Sequence, residues 1–85
     1  MHVHVKLFAT FRRHLPSEAR DGVYRADVPA GTRAAELLVS LGVPVDQPGA
    51  AVVLVNGRQV APERVLQEGD VLTAFPAMAG GGAGL

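Results

Sequence analysis

The chain has 85 residues, 48% of them apolar and 19% charged, with eight basic side chains balanced by eight acidic ones. One domain of this length leaves no room for a separate catalytic unit, and its core contributes only about 3–5 kcal/mol, so a deeply buried active site would compete with folding. The basic residues are dispersed from Lys6 to Arg64 instead of forming the stripe that nucleic acid requires, no apolar run reaches membrane-spanning length, and cysteine is absent, which excludes disulfides, zinc thiolates and sulfur held on a side chain.

From His2 to Leu7 polar and apolar residues alternate, with Val3, Val5 and Leu7 on one side and His2, His4 and Lys6 on the other: the period-two pattern of a half-buried strand. Phe8, Phe11 and Leu15 recur at i, i+3 and i+7 before Pro16, which predicts a short helical turn. Residues 17–22 read as a polar loop and residues 23–28 as a second strand paired with the first. Pro29-Ala30-Gly31 breaks that strand. Thr32 is then placed to cap a helix on which Ala34, Leu37, Leu38 and Leu41 form one apolar stripe, while Gly42 supplies a left-handed end and Pro44 prevents continuation.

Gln47-Pro48-Gly49 reads as a turn. The unbroken apolar run 51–55 predicts a strand buried on both faces, and Asn56-Gly57 is the preferred dipeptide for a two-residue hairpin returning through Arg58, Gln59 and Val60. Glu68-Gly69-Asp70 makes a further turn, and a last strand runs from Val71 to Phe75, ended by Pro76. Beyond Met78 no side chain exceeds a methyl group until Leu85. Two hairpins separated by one amphipathic helix predict an α+β fold of β-grasp type: a mixed five-stranded sheet packed by one main helix, with the final strand in the centre. Residues 1–79 form that domain and residues 80–85 a flexible glycine-rich C-terminal tail.

Histidines at 2, 4 and 14 come without a carboxylate cluster to complete a metal site, so they are read as solvent-facing and no metal is expected. The N-terminus has no charged segment followed by a long apolar one, which makes the cytoplasm the expected location, with neither membrane nor nucleic acid as partner. Phe75, Pro76 and Met78 stand at the base of the tail, where an exposed apolar patch anchors a partner, and Phe8 is grouped with them; Phe11 is assigned to the core. Arg12, Arg13 and Arg58 are read as solvated charges able to meet acidic groups on a partner.

The segments Val5-Lys6-Leu7-Phe8-Ala9-Thr10-Phe11-Arg12, Ala35-Glu36-Leu37-Leu38 ending at Leu41-Gly42, Val55-Asn56-Gly57-Arg58, Leu66-Gln67-Glu68-Gly69-Asp70-Val71 and Phe75-Pro76-Ala77-Met78-Ala79-Gly80-Gly81 together resemble the small subunit of molybdopterin synthase and its relatives in thiamin and cysteine biosynthesis, the MoaD/ThiS-like ubiquitin-related sulfur carriers. The resemblance spans residues 2–81. It implies a ubiquitin-like fold and a protein that is not an enzyme itself. Its C-terminal glycine, Gly81 or alternatively Gly82, is adenylated and converted to a thiocarboxylate, with Gly80 and Gly81 as the threading tail. The implied partners are an ATP-using E1-like adenylyltransferase of the MoeB/ThiF type and a molybdopterin synthase large subunit of the MoaE type; ATP belongs to the activating partner, and no cofactor is bound by the chain.

One departure from that pattern is the continuation Gly82-Ala83-Gly84-Leu85, which implies removal of residues 82–85 by a maturing protease. Alternatives of the same chemistry are sulfur delivery to cysteine, thiamin or a specialised metabolite. Alternatives of another class are a protein modifier joined to lysine through the activated glycine, and a non-covalent interaction module, since fold alone does not fix function.

Overall fold

The computed structural model describes residues 1–45 and 50–77. The expected turn at residues 47–49 and the expected tail at residues 80–85 lie outside them, as do Met78 and Ala79. Among the described residues, β1 (His2–Leu7) leads through a 3₁₀ helix (Ala9–His14) to β2 (Val23–Asp27), then α1 (Ala34–Ser40), β3 (Ala51–Val55), the two-residue β4 (Arg58–Gln59) and β5 (Val71–Pro76). They form one sheet in the order β2-β1-β5-β3-β4. β1 pairs antiparallel with β2 and parallel with β5, and β3 pairs antiparallel with both β5 and β4, so the sheet is mixed and its last strand is central.

The register explains the core. Val5 lies opposite Leu72 and Leu7 opposite Ala74, while Val53 and Val55 meet Ala74 and Leu72 from the other side. These side chains share one face with Val3 and Ala26, and they cluster with Ala34, Leu37 and Leu38 of α1 and with Phe11, Val43 and Leu66. The stripe read from the helical spacing is thus the covering layer of the sheet.

The β3 expectation needs correction. Only Val53 and Val55 are buried; Ala51, Val52 and Leu54 are half-buried. Val52 and Leu54 alternate with the buried pair and so share the far face with Val71, Thr73 and Phe75, their cross-strand neighbours or next in register, which are half-buried as well. An apolar run arises here because β3, one strand in from the edge strand β4, is dry on one face and only partly screened on the other.

The helix cap also differs from expectation. Thr32 does not cap α1: its hydroxyl donates to the Pro29 carbonyl at 2.7 Å, and its own carbonyl accepts the Leu66 N–H at 2.9 Å. The chain stays extended through Arg33, which bridges Val65, and the first free helical amides, Ala34 and Ala35, donate to the carbonyls of Arg64 and Pro62 at 2.9 and 2.8 Å. Glu36 adds a carboxylate that accepts the Arg33 N–H at 2.7 Å. Main-chain carbonyls 27 and 30 residues downstream therefore do the work expected of a local hydroxyl.

The other end of α1 follows the expected chemistry. Gly42 takes φ +91, its N–H donates to Val39 and that of Val43 to Leu38, the paired bonds of a Schellman ending. A Cβ on Gly42 would stand 3.1 Å from His14 Nδ1. Gly42→Ala is expected to lower stability by about 1–2 kcal/mol, the cost of a left-handed L-residue, readable as a fall in urea midpoint without a change in slope.

Asn56 and Asp70 join the two turns. Asn56 and Gly57 adopt φ +52 and +84, as a hairpin of this length demands. Asp70, 7% exposed, accepts Asn56 Nδ2 at 3.0 Å and the Gln67 N–H at 2.8 Å, while Asn56 Oδ1 accepts the Val71 N–H at 2.9 Å. The Glu68-Gly69-Asp70 turn is consequently a clamp between β5 and the β3–β4 hairpin. Asp70→Ala leaves an amide and a main-chain N–H unpaired and is expected to cost about 2–3 kcal/mol, with Asp70→Asn recovering part of it in equilibrium unfolding.

Candidate functional site

Three segments converge where β5 ends. The parallel pairing carries β1 alongside, so that the Phe8 N–H donates to the Ala74 carbonyl at 3.1 Å. On the other side Phe75 faces Val52 and Pro76 faces Ala51, and the Ala77 N–H reaches the Ala50 carbonyl at 3.4 Å. The last described residue therefore leaves the middle of the sheet, flanked by the end of β1 and the start of β3.

The side chains there divide by strand alternation. Phe75 lies on the open face in line with Val52, and Pro76 falls on the other; both are half-buried. Phe8, at the turn into the 3₁₀ helix, is 48% exposed, whereas Phe11 is 5% exposed and belongs to the core. The fold thus brings Phe8, Phe75 and Pro76 to one end of the sheet. Met78, Gly80, Gly81 and Gly82 lie outside the described residues.

Beside Phe8 an open groove of about 270 Å³ is lined by Lys6, Arg12, Asp21 and Gly22 as well. Asp21 and Gly22 form the tight turn into β2, both with positive φ, and Lys6 lies opposite Val23 in the ladder. Alternation along β1 signals Lys6 as outward-facing. The approach of Arg12 and Asp21 to it depends on how the 3₁₀ helix and the β2 turn fold over the strand end, which no local pattern encodes. An aromatic ring beside two cations suits an apolar contact ringed by acidic groups.

Phe75→Ala is expected to weaken binding to a protein partner engaging this end by roughly tenfold or more while costing less in folding, because a half-buried ring loses less on truncation than a core one. Paired calorimetric titration and thermal melts measure both; a stability loss exceeding the binding loss would assign Phe75 to the core.

Among the described residues no three or more His, Cys, Asp or Glu side chains gather into a group, His2 instead lying 3.7 Å from Glu68. Nor is any described helix long and apolar enough to cross a membrane.

The family described as Mut7-C ubiquitin matches residues 1–80. No curated protein matches the chain. Among solved structures, SAMP1 from Haloferax volcanii superposes with a TM-score of 0.70 at 25% identity, covering 89% of this chain and 94% of that one. A further structure, of small archaeal modifier protein 1 from the same organism, gives 0.69 at 26% identity, with 88% and 95% covered. A protein from Pyrococcus furiosus assigned as molybdopterin converting factor, subunit 1, gives 0.65 at 28% identity, again with 88% and 95% covered. Sheet order, central last strand and covering helix agree with these likenesses, and with the family match running over nearly its whole length the chain belongs to the Mut7-C ubiquitin family, ubiquitin-like proteins of the β-grasp fold.

Proposed function

We propose that the chain is a sulfur carrier, charged at its C-terminal end by one protein and discharged by another. The observation that supports this most is the placement of Phe75 and Pro76: the central strand ends there, between Phe8 and Ala51, four residues before Gly80-Gly81. A carboxylate resists attack until it is activated. In the proposed sequence the Gly81 carboxylate attacks the α-phosphate of ATP on an E1-like partner, releasing pyrophosphate, and a sulfide-level nucleophile then displaces AMP to leave the thiocarboxylate. Glycines without Cβ atoms suit threading into a narrow pocket, where a large subunit of molybdopterin-synthase type accepts the sulfur. Catalysis belongs to those partners. Activation at Gly81 requires prior removal of residues 82–85, with Gly82 the alternative end.

The likeness to the Pyrococcus furiosus protein favours molybdopterin as the sink for sulfur. The likeness to the Haloferax volcanii modifier favours a second reading, in which the same activated glycine is joined to a target lysine. ATP–pyrophosphate exchange by an E1-like adenylyltransferase tests the shared step: a chain ended at Gly81 should support exchange and the 85-residue chain should not. Exchange by neither form, nor by one ended at Gly82, rejects both readings. Thiocarboxylate without target adducts then favours the carrier, and glycine remnants on lysine favour the modifier.

A further inference from the structure

Strand β2 is an edge of the sheet. Met1 and Val28 exchange both main-chain hydrogen bonds, at 2.7 and 2.9 Å. Bonded and open pairs alternate along an antiparallel ladder, so Ala26 and Tyr24 also turn their peptide groups toward β1, whereas those of Val23, Arg25 and Asp27 aim away from the sheet. Arg20 takes up both groups of Val23, at 2.8 and 2.9 Å. Among the described residues, the outward groups of Arg25 and Asp27 have no protein partner. Two donors and two acceptors are thus left on one edge, beneath two exposed side chains of opposite charge on the same face.

That spacing is self-complementary. An antiparallel copy centred on Arg25 would set arginine against arginine and Asp27 against the already occupied Val23. Centred on Asp27, it would oppose two carboxylates and set Arg25 against Pro29, which has no N–H. Centred on Ala26, it sets Arg25 of each copy against Asp27 of the other, forming bonded pairs on both sides of the axis, and it sets Tyr24 against Val28 on the helix-covered face, where both already pack against the core. We propose that a second copy of this chain docks on β2 in this register, joining the two sheets into one across a two-fold axis at Ala26. β1 separates β2 from β5, so the ends of both central strands stay clear of the contact. Asp27 now lies 3.6 Å from the Met1 ammonium with its side chain 78% exposed, which leaves it open to a second cation.

Sedimentation velocity over a concentration series of the whole chain tests this. A reversible dimer is expected, weakened on the order of tenfold by Arg25→Asp or by Asp27→Arg, since each reversal turns two attractive cross-strand pairs repulsive, and restored by the double exchange Arg25→Asp/Asp27→Arg. Circular dichroism checks that each variant is folded, both positions being exposed. A chain that stays monomeric up to millimolar concentration overturns the proposal, as does a dimer indifferent to the single reversals or one that the double exchange fails to restore.

Discussion

A chain ended at Ala79 is expected to lose ATP-dependent activation entirely while melting at the same temperature as the parent. Among the described residues the last sheet hydrogen bond is made by Ala77 and the buried core lies between Val3 and Ala74, so the cut falls beyond every described contact of the fold. What it removes is reach and permissiveness. Two residues of extended chain span about 7 Å, so the new carboxylate stops short of a site built for Gly81 by far more than the fraction of an ångström that productive geometry tolerates. It would also sit on a residue with a Cβ, for which the positive-φ conformations open to glycine are costly. Exchange assays beside thermal melts measure both halves; a truncated chain that is still adenylated would move the reactive end away from the glycines.

Leu72→Ala is expected to destabilise the fold by about 2–5 kcal/mol. Leu72 is fully buried on the central strand, between Val5 and Val55 in register, so its loss opens a cavity where both flanking strands and α1 meet. In a domain of this size each kcal/mol moves the melting temperature by roughly 4–8 °C, so a drop of at least about 10 °C should appear in calorimetry. A drop of a degree or two would mean that the centre of the sheet repacks, and that the end of β5 is less firmly fixed than its pairing on both sides indicates.

Much of this was legible in the residues. The alternation of β1, the glycine ending of α1 and the Asn56-Gly57 hairpin are local patterns with local causes, and each stands as the sequence predicts. Local pattern misleads where a distant partner decides the outcome. Thr32 is a sound N-cap by composition, yet Pro62 and Arg64 supply the carbonyls that make Ala34 and Ala35 the first capped amides. The 51–55 run reads as doubly buried because hydrophobicity cannot tell a covered face from one left half-open for contact. Asn56 reads as a turn residue alone, although its side chain also ties Asp70 and Val71 into the same clamp.

The candidate site divides in the same way. The sequence groups Phe8 with Phe75 and Pro76 at the base of a glycine-rich end, and the fold supplies the reason, since β1 runs parallel to β5. The groove joining Phe8 to Lys6, Arg12 and Asp21 could not be read from the chain, since it forms only when the 3₁₀ helix and the β2 turn meet over the strand end.

Intact-mass analysis of the protein isolated from its own cells bears most directly on whether this domain carries sulfur on its main-chain terminus. The account predicts a species ending at Gly81, or at Gly82, in which one carboxylate oxygen is replaced by sulfur. A population ending wholly at Leu85 with an unmodified carboxylate, in cells where the pathway is active, would contradict it.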